Sequence, residues 1–92
     1  MTETTPRLLR RIRVDFPDPG SAEEIARLVA DAHESERVQA AIVLWGRGNL
    51  ARIRDARALA TQDWRDLLVR ADLADADWHD KLDAQLGQSE GS

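Results

Sequence analysis

Apolar positions are densest between Val38 and Trp45, where Val-Gln-Ala-Ala-Ile-Val-Leu-Trp runs with one glutamine and no charge. Read with a helical period, Val38, Ala41, Ile42 and Trp45 fall at i, i+3, i+4 and i+7 and form one stripe. Ala40, Val43 and Leu44 occupy the remaining sides, so a helix here is apolar nearly all round, which marks an element contacted by several neighbours. Ile42, Val43 and Trp45 also suit a buried strand. Glu36, Arg37, Gln39 and the alanines favour helix, and Ser35 can cap its start. The reading adopted is a central helix over 35–46, with a strand over 38–45 as the alternative.

Upstream the period changes to two. Leu8, Ile12, Val14 and Phe16 share one parity and Arg11, Arg13 and Asp15 the other, the alternation of a half-buried strand over 7–16. Pro17-Asp18-Pro19-Gly20 ends it, because neither proline can donate to a ladder. Ser21 and Glu24 then read as a capping box, opening a helix over 21–33 whose face is Ile25, Leu28, Val29 and Ala32. Gly46 suits a left-handed terminus for the central helix and Asn49 the cap of the next, over 49–60. Thr61 is the expected cap of a helix over 62–71, with Trp64, Leu67, Leu68 and Ala71 on its inner face. A last helix over 76–86 carries Trp78, Leu82 and Leu86. The fold class predicted is therefore α+β and mostly α: one N-terminal strand followed by five short helices, in a single domain with disordered tails at 1–6 and 87–92. Trp45 and Trp64 are expected to be buried anchors.

Glu36-Arg37-Val38-Gln39-Ala40-Ala41-Ile42, then Gly48-Asn49-Leu50, then Asp63-Trp64-Arg65-Asp66-Leu67-Leu68-Val69 resembles a pattern in small bacterial proteins of uncharacterised function. The likeness covers roughly the second half of the chain. In that group the central turn more often reads Gly-Asp-Leu; Asn49 keeps the capping chemistry and drops the charge. The resemblance implies a helical body and supplies no activity.

Composition narrows the class. The 92 residues are 42% hydrophobic and 33% charged, with a net charge of −4, as in a folded, water-exposed domain. No stretch approaches the ~18 apolar residues of a membrane span, and Met1 is not followed by a secretion signal. There is no cysteine, which excludes disulfides, thiol catalysis and cysteine-ligated metals. The expected location is cytoplasmic. Charge is also segregated: four arginines against one aspartate between Arg47 and Arg57, then seven aspartates against two arginines and a lysine between Asp63 and Asp83. The two segments are expected to attract one another, within the monomer or between subunits.

Candidate chemistry is sparse. Trp64 and Arg65, set between Asp63 and Asp66, resemble a grip for a small anionic or aromatic ligand, although a capped amphipathic helix start gives the same pattern. His79 stands four residues from Asp75 and from Asp83, a spacing that metal sites use, but a solvated acidic face accounts for it as well. Gly46-Arg47-Gly48 lacks the lysine and hydroxyl of a phosphate loop. No catalytic set, cofactor or metal is expected. The function expected is a non-enzymatic interaction or adaptor protein, homodimeric through an antiparallel ribbon of Ile12, Val14 and Phe16. The alternative is a ribbon–helix–helix regulator, with Arg11 and Arg13 of the strand entering a major groove.

Overall fold

The computed structural model describes residues 4–87, and within them every regular element is a helix. They are α1 (Pro6–Asp15), α2 (Pro19–Ala32), α3 (Glu36–Gly46), α4 (Leu50–Arg70) and α5 (Trp78–Leu86). The α+β expectation is thus corrected to all-α, since the segment 7–16 is a helix. Thr5 in extended conformation caps it, Pro6 occupies the first turn, and the Phe16 N–H closes it onto Ile12 O at 2.8 Å. Proline is favoured there because its missing N–H has no intrahelical acceptor and its φ is already helical. Leu8, Ile12 and Phe16 are four residues apart, so they share a parity and equally share a helical face. All three are buried, whereas Val14, on which period two depended, is 70% exposed. With no strand in this segment, the antiparallel ribbon and its major-groove variant both fall.

Helix α2 begins two residues before the expected capping box. Pro19 takes the first turn and Asp18 is the cap, its Oδ2 accepting from the Ser21 N–H at 3.1 Å and the Ser21 hydroxyl at 3.0 Å. Asp18→Ala is expected to cost ~0.5–2 kcal/mol, and Ser21→Ala no more than ~0.5 kcal/mol. Urea unfolding of the two variants checks this, and a larger loss at Ser21 would restore the capping box.

Helix α3 is the centre of the fold. Val38, Gln39, Ala40, Ala41, Ile42, Val43 and Gly46 are all buried, and α1, α2 and α4 pack around them. The buried Gln39 donates from Nε2 to His33 O at 2.7 Å, tying α3 to the end of α2. Helix α4 turns back along α3 through Arg47-Gly48-Asn49. The left-handed positions are Arg47 (φ 49°) and Gly48 (φ 75°), not the expected Gly46, and Asn49 Oδ1 accepts from Arg52 N–H at 3.2 Å. Gly46 has a different duty: a Cβ there would run into the Ile53 side chain, so its hydrogen lets α3 and α4 close on one another.

The two helices expected over 49–60 and 62–71 are continuous in hydrogen bonding but broken in direction. Asp63 has non-helical backbone (φ −154°, ψ 84°), and its Oδ1 accepts from Asp66 N–H at 3.2 Å. Asp63, and not Thr61, is therefore the cap of the second half; the Thr61 hydroxyl donates back to Ala58 O at 2.8 Å. The far end closes with Asp72 left-handed (φ 61°) and Leu73 N–H on Leu68 O at 2.8 Å, which turns the buried Leu73 inward. Arg37 Nε holds this turn from α3, donating to Leu73 O at 2.8 Å.

The tryptophans lie at the margin of the core. Trp45 and Trp78 are half-buried and Trp64 is 38% exposed. Each carries a guanidinium over its ring: Arg52 on Trp45 at 4.3 Å, Arg37 on Trp78 at 4.6 Å, Arg65 on Trp64 at 5.2 Å. A large ring half in water suits such a cover, because the cation meets the negative face while the stem shields carbon. The anchor role expected for Trp64 belongs to Leu67 and Leu68 in the next turn.

Candidate functional site

A largely apolar groove opens between α1 and α2, about 600 Å3 in volume. Its floor comes from Ala22, Ala26 and Ala30, one ridge of α2 at four-residue spacing, of which Ala22 is fully buried. Leu9 of α1 and Pro19 form its apolar walls, and Thr4 closes one side by donating from Oγ1 to Ala26 O at 3.2 Å. The rim is charged with both signs: Arg13 on α1, and Glu23 and Arg27 on α2, the last two paired at 3.0 Å. That pair is exposed and contributes only ~0.3–0.5 kcal/mol, so it is free to exchange partners.

An ion cluster that sequence reasoning missed stands at the first turn of α1, apart from the groove's lining. Arg7, on the first turn of α1, is only 5% exposed. Its guanidinium meets Glu36 of α3 in a two-pronged contact, Nε to Oε2 at 3.0 Å and Nη2 to Oε1 at 2.6 Å. Nη1 reaches Asp83 of α5 at 2.5 Å and Gly87 O at 2.9 Å. The Thr5 hydroxyl donates a further bond to Glu36 Oε2. Hydrogen bonds from Arg7 hold the Glu36 carboxyl below its ordinary value, against the opposing effect of burial. The same Glu36 contact raises Arg7 above its already high value. One residue thereby fixes α1 to α3 and α5. No signal in the chain marked Arg7, since an inward arginine is unreadable without its partners.

The residues singled out from sequence do not come together. Trp64 and Arg65 stack on each other, with His33 at 5.9 Å from the indole, on the exposed side of α4. His79 lies on α5 against Asp83 at 3.6 Å and edge-on to Trp78 at 5.1 Å. Asp75 and Asp83, the neighbours that suggested a metal, are turned to other work: Asp75 to Lys81 at 3.3 Å and Asp83 to Arg7. Among the described residues no group of three or more such side chains is arranged to hold a metal ion. Ile12 and Phe16 are core and Val14 faces water. Among the described residues no ion pair joins the basic stretch of α4 to the acidic C-terminal stretch within the monomer. Asp72, Asp75 and Asp77 gather on Lys81 instead, and Asp66 pairs with Arg70.

Among the described residues no helix is long and apolar enough to cross a membrane. No family model matches the chain, no curated protein matches it, and no solved structure matches it.

Proposed function

We propose that the protein is a non-catalytic, cytoplasmic interaction module that pairs with a second copy of itself through the α1–α2 groove. The observation that carries this reading is the groove itself: an apolar floor of three small residues on one helix ridge, rimmed by both charge signs. Alanines at this spacing let another helix approach closely, and a self-complementary patch must carry both signs. Across a two-fold axis, Arg13 and Arg27 of one copy meet Glu23 of the other, and the apolar floor leaves water. An interface of this kind lies at the small end of the range, ~1,200 Å2 in total, so the dimer is expected to be transient.

Sedimentation velocity on the full chain, up to ~1 mM, reads associations as weak as ~4 kcal/mol. The expected result is a concentration-dependent rise in mass that Ala26→Arg abolishes while circular dichroism stays unchanged. A monomer at every concentration overturns the reading, as does a dimer indifferent to Ala26→Arg.

A further inference from the structure

A second cavity, of about 550 Å3, opens between α1, the α3–α4 turn, the end of α4 and α5. Its size is that of sites that enclose small organic molecules. Arg11, Arg47 and Arg70 line it from three different elements, and Trp45 and Leu73 give it an apolar wall. Lys81 lines it too, but its ammonium is shared among Asp72 at 2.9 Å, Asp75 at 3.3 Å and Asp77 at 3.6 Å, so it is already neutralised.

The arginines are differently placed. Arg11 meets Asp15 through Nε at 3.3 Å, and Arg70 meets Asp66 through Nε at 3.0 Å, so each keeps most of its fork of donors available. Arg11 adds a long contact from Nη1 to Gln85 O at 3.4 Å. Among the described residues the Arg47 guanidinium has no hydrogen-bonding or ion-pair partner; only its backbone N–H is engaged, on Val43 O at 3.3 Å. It stands on the left-handed backbone of the turn, at the edge of the cleft. A chain of net charge −4 thus brings three guanidinium groups to one concavity. Asp15 and Asp66 balance the charges of Arg11 and Arg70, so Arg47 carries the uncompensated charge that an entering anion meets, with the free donors of the other two forks beside it.

We propose that this cleft binds an organic anion, a carboxylate or phosphate monoester on an apolar or aromatic body. The planar forks of Arg11, Arg47 and Arg70 match either oxyanion. The body of the ligand lies along the half-buried Trp45 and Leu44, which also lines the cleft, where it replaces water on apolar carbon. Neither an inorganic ion, which leaves the apolar wall wet, nor a neutral isostere, which leaves the arginines unmatched, satisfies both halves.

The test is an NMR titration of the full chain that follows the Trp45 indole N–H. Phenyl phosphate and 4-phenylbutyrate are the probes, with 4-phenylbutanamide and inorganic phosphate as controls. A saturable shift is expected with at least one organic anion, about tenfold tighter than with either control, and weakened by added salt. The stronger of the two probes identifies the head group. Arg47→Asn, chosen because asparagine tolerates positive φ, is expected to weaken binding about tenfold to a hundredfold, as loss of a charged hydrogen bond does. Arg54→Gln, outside the cleft, is expected to change nothing. The proposal is overturned if neither probe gives a saturable shift, if the amide or inorganic phosphate binds as tightly as the anions, or if Arg47→Asn binds like the unmodified chain.

Discussion

Arg7→Ala is expected to lower the unfolding free energy by ~3–5 kcal/mol, the range for removing one partner from a buried ion pair. The loss comes less from the missing attraction than from what stays behind. Glu36 is left partly buried with the Thr5 hydroxyl as its remaining partner, and Asp83 and Gly87 O lose a donor. Arg7→Met combined with Glu36→Leu is expected to recover much of the loss, because it removes the stranded charge as well as its partner. Urea unfolding of the two variants separates these contributions; a double variant as weak as Arg7→Ala would refute the account. The cluster also sets a pH dependence. The Glu36 carboxyl is held below its ordinary value of 4.5, chiefly by hydrogen bonds from Arg7. A group depressed on folding binds fewer protons in the folded state. Its contribution is therefore complete above about pH 4.5 and is lost as pH falls through the lower, folded value. Glu36→Gln is expected to flatten the decline in stability between pH 5 and pH 3, while an unchanged slope would place the acid sensitivity elsewhere.

Ile12→Ala is expected to cost ~2–5 kcal/mol, the usual cost of emptying a fully buried aliphatic site. Val14→Ala is expected to change stability by no more than ~0.5 kcal/mol, since its side chain faces water. The contrast is sharp because a strand would place both residues on one buried face and make their losses similar. In the helix, Ile12 lies under α1 with Leu8 and Phe16, and alanine at position 14 even gains slightly in helix propensity over valine. Thermal unfolding of the pair is sufficient to read the difference.

That pair also explains which parts of the fold were legible from sequence. Residues separated by four satisfy both a period of two and a helical turn, so Leu8, Ile12 and Phe16 could not choose between strand and helix. Val14 was the only apolar vote for alternation, and it is an exposed residue in a helix. The better signal was Thr5-Pro6, an extended residue followed by a proline at the first helical position, which says helix whatever follows. Similarly, Ser21 and Glu24 have the composition of a capping box, but Pro19 had already supplied a first turn and Asp18 a cap. The centre was more readable. Val38–Val43 is apolar nearly all round, and a helix with a single glutamine among its apolar sides has nowhere to lie except among neighbours. The groove and the cationic cleft were not legible at all. Arg11, Arg47 and Arg70 are widely separated in the chain, and only the return of α4 and α5 upon α1 assembles them. The tryptophans misled for a related reason: size suggests burial, but a stacked arginine lets an indole remain at the margin.

The bond from Arg7 to Gly87 spans almost the whole described chain, and the one to Asp83 nearly as much. During synthesis the first helix therefore emerges long before two of its acceptors exist. Until residues 83–87 are free of the ribosome, Arg7 Nη1 has water in place of Asp83 and Gly87 O, and only Glu36 and Thr5 of the cluster are present. The Arg7 cluster is consequently completed only once α5 has been made. Truncation within α5 removes two of the acceptors that hold α1 in place.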